Sequence, residues 1–158
     1  MSRAVIYDLA DWCGADYRDG RWRYAFFAPV SRIAALADPT ETPPWEDAGD
    51  LSPAHIAAAR AERACATPEQ TVAAMNAPGA PGHAARIAAL LDDGWSDAIS
   101  IEFGFFSAEQ NLHWPIIDGN HRLYAAILRG DRVMLVTIGG SIETAEALLG
   151  VNLDKIIV

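Results

Sequence analysis

Residues 115–130 read PIIDGNHRLYAAILRG, and residues 131–138 continue as DRVMLVTI. The apolar run Trp114-Pro115-Ile116-Ile117 is extended in character and stops at Asp118-Gly119, where a helix begins at once. Across Gly119 to Arg129 the apolar positions Leu123, Ala126 and Ile127 recur at helical spacing. Gly130 is a natural stop one residue past the helix. Arg132 to Ile138 (RVMLVTI) is the strongest strand pattern in the chain. Upstream, Asp97 to Phe103 (DAISIEF) alternates like a strand. Downstream, Gly139-Gly140-Ser141 reads as a turn into a helix from about Ile142 to Leu149, and Asn152 to Val158 ends in a short apolar run. The order β–β–α–β–α over residues 97–149 predicts an α/β (α+β) domain, a mixed sheet flanked by helices.

The first part of the chain, residues 1–50, carries weaker signals. Arg3 to Asp8 (RAVIYD) and Arg21 to Pro29 (RWRYAFFAP) read as strands, and Val30 to Leu36 as one or two helical turns. Pro39 to Pro53 (PTETPPWEDAGDLSP) contains four prolines and four acids. It reads as a loop at the upper end of what compact domains hold without a functional reason. Trp45 within it suits a lid over a pocket, a docking point for a protein partner, or a packed connector. Ser52-Pro53 is an N-cap signal opening an Ala-rich helix to about Ala64. Thr67-Pro68-Glu69-Gln70 repeats that signal with Gln70 at the capping-box position. Asn76 to Gly82 (NAPGAPG) reads as a break, followed by a helix over His83 to Leu91 that Asp92-Asp93-Gly94 ends.

Composition bounds the class. A chain of 158 residues, 51% hydrophobic and 21% charged, is expected to form a single globular domain over 1–158. Twelve basic against 21 acidic residues give a net charge of −9. Bulk charge therefore disfavours DNA, whose binding rests on neutralising phosphates. The two cysteines, Cys13 and Cys65, form no CxxC pair, which removes zinc-ribbon and thioredoxin chemistry. The N-terminus has no secretory pattern and no run reaches membrane-helix length, so the expectation is a cytoplasmic protein with no membrane partner.

The chemistry concentrates where the 119–129 helix starts. A helix N-terminus exposes unpaired N–H groups and a partial positive charge. Gly119 lets backbone approach a ligand closely, and the first turn adds Asn120, His121 and Arg122. Arginine grips phosphate with two parallel hydrogen bonds. The pattern points to an anion site, phosphate foremost, with a helix start capped by Asp118 as the plain alternative. Phosphoryl chemistry also needs a base or a metal ligand. Glu102, an acid inside an apolar strand, is the expected general base or Mg²⁺ ligand unless it faces water at an edge. Asp118 is a second possible Mg²⁺ ligand or a turn residue.

The arrangement strand–DGNHR–helix–Gly–strand resembles the ParB/sulfiredoxin superfamily over Trp114 to Gly139. The resemblance implies a compact nucleotide-binding fold in which Gly119, Asn120, His121 and Arg122 lie on the phosphates of ATP, ADP or CTP, with Mg²⁺. The reaction expected is phosphoryl transfer or NTP hydrolysis, with His121 of the motif and Glu102, chosen for its place in the strand, as the candidate catalytic residues. Relatives that act as nucleases, and a non-catalytic plasmid- or phage-type binding module, are the alternatives on the same fold. Sulfiredoxins carry a catalytic Cys where this chain has Asn120, so their reaction is not expected. Chromosome-partition proteins add a DNA-reading module and a dimerisation tail, for which a chain ending at Val158 leaves no room.

Three further groups carry less. Arg18, Arg21 and Arg23 interleave with Tyr17, Trp22 and Tyr24, either as a groove for a base or single strand or as an amphipathic strand. His113 with Asp118 and His121 matches no helical or hairpin metal-ligand spacing. His55 and His83, at helix starts, read as surface residues.

Overall fold

The computed structural model describes residues 16–18, 21–103 and 114–153. The protein is α+β, with a mixed sheet and helices. Its described residues gather into two compact units. A sheet unit takes the residues up to Ala37, those from Asp97 to Gly119 and those from Asp131 onward, and a helical unit takes Asp38–Ser96 and Asn120–Gly130.

In the sheet unit, β1 (Asp16–Arg18), β2 (Arg21–Pro29), β3 (Ile99–Phe103), β4 (Ile116–Asp118) and β5 (Val133–Gly140) lie in the order β1-β2-β5-β3-β4. Only β3 and β5 run parallel among these pairs. β3 lies between β5 and β4, and its Ile99, Ile101 and Phe103 are almost wholly buried. On β5 the alternation of Met134, Val136 and Ile138 faces the core, as period two requires. Helix α1 (Val30–Leu36) packs on β2 and on α6 (Ile142–Leu149), which also touches β3 and β5. Ser141 caps α6 by accepting from the Thr144 N–H, and Gly150 ends it in the left-handed region at φ 66°.

Two expected boundaries move here. Residues 139–140 are not a turn but the end of β5, because β3 extends opposite them, Glu102 against Gly139 and Phe103 against Gly140. The Glu102 carboxylate lies over Gly139, where a Cβ would collide with it. The expected strand over Arg3 to Asp8 lies outside the described residues, as does the apolar run after Leu153.

The helical unit holds α2 (Pro53–Arg63), α3 (Pro68–Met75), α4 (Gly79–Asp93) and α5 (Asn120–Arg129). Helix α4 touches all three others. It can do so because Gly82, Ala84, Ala85 and Ala88 give it a thin, closely approached surface. The core joins Ala48, Leu51, Ile56, Ala84, Ile87, Ala88, Tyr124 and Ala125. The capping box at Thr67 forms in both directions, Thr67 with the Gln70 N–H and Gln70 with the Thr67 N–H. Ser52 stands at the start of α2, yet its hydroxyl bonds His55 Nδ1 at 3.0 Å rather than the helix backbone. Helix α4 begins at Gly79, four residues before the expected His83.

Candidate functional site

Three residues distant in sequence meet in the helical unit. Asp47 comes from the loop between α1 and α2, His83 from α4 and His121 from the first turn of α5. Asp47 Oδ1 lies 2.9 Å from His83 Nε2, and His83 Nδ1 lies 2.8 Å from His121 Nε2. The other Asp47 oxygen, Oδ2, accepts the Gly79 N–H at 2.8 Å. Gly79 and His83 are four residues apart and so share one face of α4, which lets one carboxylate reach both. Pro78 at the start of α4 offers no side-chain cap, and Asp47 supplies that acceptor from the loop.

Trp45 covers the pair. Its ring stacks on His83 at 4.5 Å between centroids and on His121 at 4.2 Å, with interplanar angles of 25° and 18°. The two imidazoles lie edge to edge beneath it, their centroids 5.1 Å apart. The indole is half-buried against the core of the helical unit.

The electrostatics favour an ionised Asp47. Its carboxyl is held below the usual aspartate range, first by the His83 hydrogen bond and then by the Gly79 N–H. A carboxylate only accepts, so the proton between Asp47 and His83 sits on His83 Nε2. The proton of the second contact lies between His83 Nδ1 and His121 Nε2, and which ring donates depends on their tautomers.

The predicted site residues divide between the two units. Asn120, His121 and Arg122 form the first turn of α5 in the helical unit, all three half-buried. Asp118, Gly119 and Glu102 belong to the sheet unit. Gly119 has φ 95°, and a Cβ there would lie 2.5 Å from Ile99 Cγ2. Packing against β3 therefore requires this glycine, with or without a ligand. Asp118 pairs with Ser100 across β3 and β4, and the Glu102 N–H donates to the Pro115 carbonyl at 2.9 Å. Glu102 is half-buried, not at an open edge, since β3 has β4 on one side and β5 on the other. Among the described residues no group of three or more His, Cys, Asp or Glu side chains is arranged to hold a metal ion. His113 lies outside the described residues, as do the side chains of residues 21–24, where an arginine–aromatic groove was one reading.

The reading of His83 as a surface residue is corrected: it is 4% exposed and central to the relay. His55 is exposed, as read. Sequence reasoning found His121 but missed both partners. The faint signal was Gly79-x-x-x-His83 at helical spacing behind an acid-bearing loop, and nothing local ties Asp47 to either.

Compared with known proteins, the chain matches no family model, no curated protein and no solved structure. Among the described residues no helix is long and apolar enough to cross a membrane.

Proposed function

We propose that this is a ParB/sulfiredoxin-like protein that binds a nucleoside di- or triphosphate through the first turn of α5 and carries out phosphoryl transfer or hydrolysis on it. The observation that carries this reading is the Asp47–His83–His121 relay: a residue of the DGNHR motif is tied into an oriented acid–base chain. Surface histidines have no need of a buried imidazole and a capped carboxylate behind them.

In this reading Arg122 takes phosphate oxygens as a bidentate donor, and the first-turn N–H groups of α5 add the helix-end attraction for anions. His121 adds a polar ring to the same turn, with its Nε2 against His83 Nδ1 at 2.8 Å. The net charge of −9 opposes an anion at long range, but that field is screened beyond about 8–10 Å. Mg²⁺ would be held by Asp118 and Glu102. Both are carboxylates on the adjoining strands β3 and β4, with Asp118 opposite Ser100, two residues before Glu102. A cytoplasmic location fits a nucleotide ligand.

Calorimetry with ATP, ADP and CTP on the wild type and on Arg122→Ala tests the reading. A charge-assisted pair contributes about 1.5–3 kcal/mol, so the variant is expected to bind roughly 10- to 150-fold more weakly. Equal affinity in a folded Arg122→Ala protein removes the phosphate role. Nicking of plasmid DNA across a salt series, without nucleotide turnover, would replace it by the phosphodiesterase alternative. Neither activity, with a protein partner retained from the native host, would favour the binding module.

A further inference from the structure

Within the helical unit, α2 and α3 each pack on α4, and a cavity of about 570 Å³ opens between them. No residue of the Asp47–His83–His121 relay lines it. The volume falls in the range of small-ligand sites. Its floor is Ala84 and Ala85 of α4, both buried, and its walls carry Ala58 and Ala59 of α2 and Ala74 of α3. Side chains that end at Cβ leave the space unfilled, so the cleft follows from the alanine-rich sequence. Ala58 and Ala74 are exposed, and the cleft is open to solvent on that side.

We propose that this cleft binds a small organic cation, an apolar aryl or alkyl body seated on the alanines with its ammonium group at Glu62. The proposal is independent of the phosphate reading above.

Charge decides the class of ligand. Glu62 lines the cleft, three and four residues after Ala59 and Ala58 and so on the same face of α2. Among the described residues its carboxylate has no hydrogen bond or ion pair. Apart from the Cys65 thiol, the other polar side chains of the lining are engaged. Arg63 pairs with Asp92 at 3.2 Å and with Asp93 at 2.6 Å, and Arg60 also pairs with Asp92, so two arginines balance two aspartates. Gln70 closes the capping box, the Thr71 hydroxyl donates to the Thr67 carbonyl at 3.0 Å, and His55 Nδ1 lies 3.0 Å from the Ser52 hydroxyl. The cleft thus offers apolar contact and one uncompensated negative charge. A carboxylate ligand meets Glu62 as a like charge, a neutral ligand gains apolar contact alone, and an ammonium gains both. The net charge of −9 acts in the same direction.

Chemical-shift mapping on the full chain tests it at about pH 7.5, above the ordinary histidine range. The ligands are phenylbutylamine, phenylbutanol and phenylbutyrate, which differ in the terminal group. The methyl signals of Ala58, Ala74, Ala84 and Ala85 are expected to shift together and saturate. A partly solvated ion pair is worth about two- to fivefold in affinity, so the amine is expected to bind about two- to fivefold more tightly than the alcohol, with the carboxylate weakest. Glu62→Gln, at an exposed helix position, is expected to keep alcohol binding and to bring the amine down to the alcohol's affinity. Ala74→Leu, also at an exposed position, puts a longer side chain into the cleft and is expected to weaken all three ligands. No saturable shift of these methyls with any ligand overturns the site, as do shifts that Ala74→Leu leaves unchanged. Saturable binding in which the amine has no advantage over the alcohol, or keeps its advantage in Glu62→Gln, overturns the cation assignment.

Discussion

Replacing Gly119 by alanine tests how the motif turn is built. Its φ of 95° lies outside what L side chains readily adopt, and an added Cβ would sit 2.5 Å from Ile99 Cγ2, 2.8 Å from Ile99 Cβ and 3.1 Å from Ile99 Cα. The backbone conformation alone costs an L residue about 1–2 kcal/mol. Forcing an extra methyl into packed surroundings adds about 1–3 kcal/mol. Together they give a loss of about 2–5 kcal/mol, readable as a lower urea midpoint at constant slope. Ile99 opens β3 and cannot yield easily, since it is fully buried in a strand flanked by β4 and β5. Combining Gly119→Ala with Ile99→Ala refines the test. The second substitution removes the Cγ2 clash but leaves the Cβ, the Cα and the backbone strain. The double variant is therefore expected to lose less than the sum of the singles, by about 1–3 kcal/mol. A Gly119→Ala protein within about 0.5 kcal/mol of the wild type, the range of an ordinary surface change, would refute the packing account.

Three other outcomes follow from particular groups. Tyr124 is fully buried and its hydroxyl has no hydrogen-bond partner among the described residues, so Tyr124→Phe is expected to raise Tm by relieving about 1–3 kcal/mol of desolvation; a lower Tm would show that the hydroxyl is satisfied. The Asp47 carboxyl is depressed, so the folded state binds its proton less readily than the unfolded chain. Its contribution is present above the ordinary aspartate value of 3.8 and lost as pH falls below it through the folded value. Acid unfolding of Asp47→Ala should show a shallower pH dependence than the wild type in that range, and identical profiles would contradict the His83 and Gly79 contacts. Arg60 and Arg63 of α2 clamp Asp92 and Asp93 at the end of α4, with contacts of 2.6–3.2 Å. These side chains are partly solvated, so Asp92→Asn is expected to cost about 1 kcal/mol or less, diminishing at high salt; a larger, salt-independent loss would mark a packing role.

Much of the fold was legible because local signals and tertiary partners agreed. Thr67 to Gln70 is a complete capping box, and Arg21 to Pro29 and Val30 to Leu36 fall where their aromatic and helical patterns put them. The start of α4 was not legible. Asn76 to Gly82 has the composition of a breaker, yet Pro81 sits in the first turn, where its missing N–H costs no intrahelical bond. The acceptor that completes that turn, Asp47, lies 32 residues earlier. The end of β5 depends likewise on β3, whose Glu102 and Phe103 give residues 139–140 a partner. His83 was hidden by alanine. In a helix whose Gly82, Ala84, Ala85, Ile87 and Ala88 are all buried, no apolar stripe marks which polar residue turns inward. The motif showed His121 and Arg122, but the relay behind His121 exists only in three dimensions.

The most direct test of phosphate binding at α5 is amide chemical-shift mapping while ADP is titrated into the wild type. The account predicts that the Asn120, His121 and Arg122 amides shift together and saturate at the affinity found by calorimetry, with the His121 ring nitrogens moving at the same half-point. Saturable binding that leaves these three amides unmoved, or no saturable shift anywhere, would contradict it.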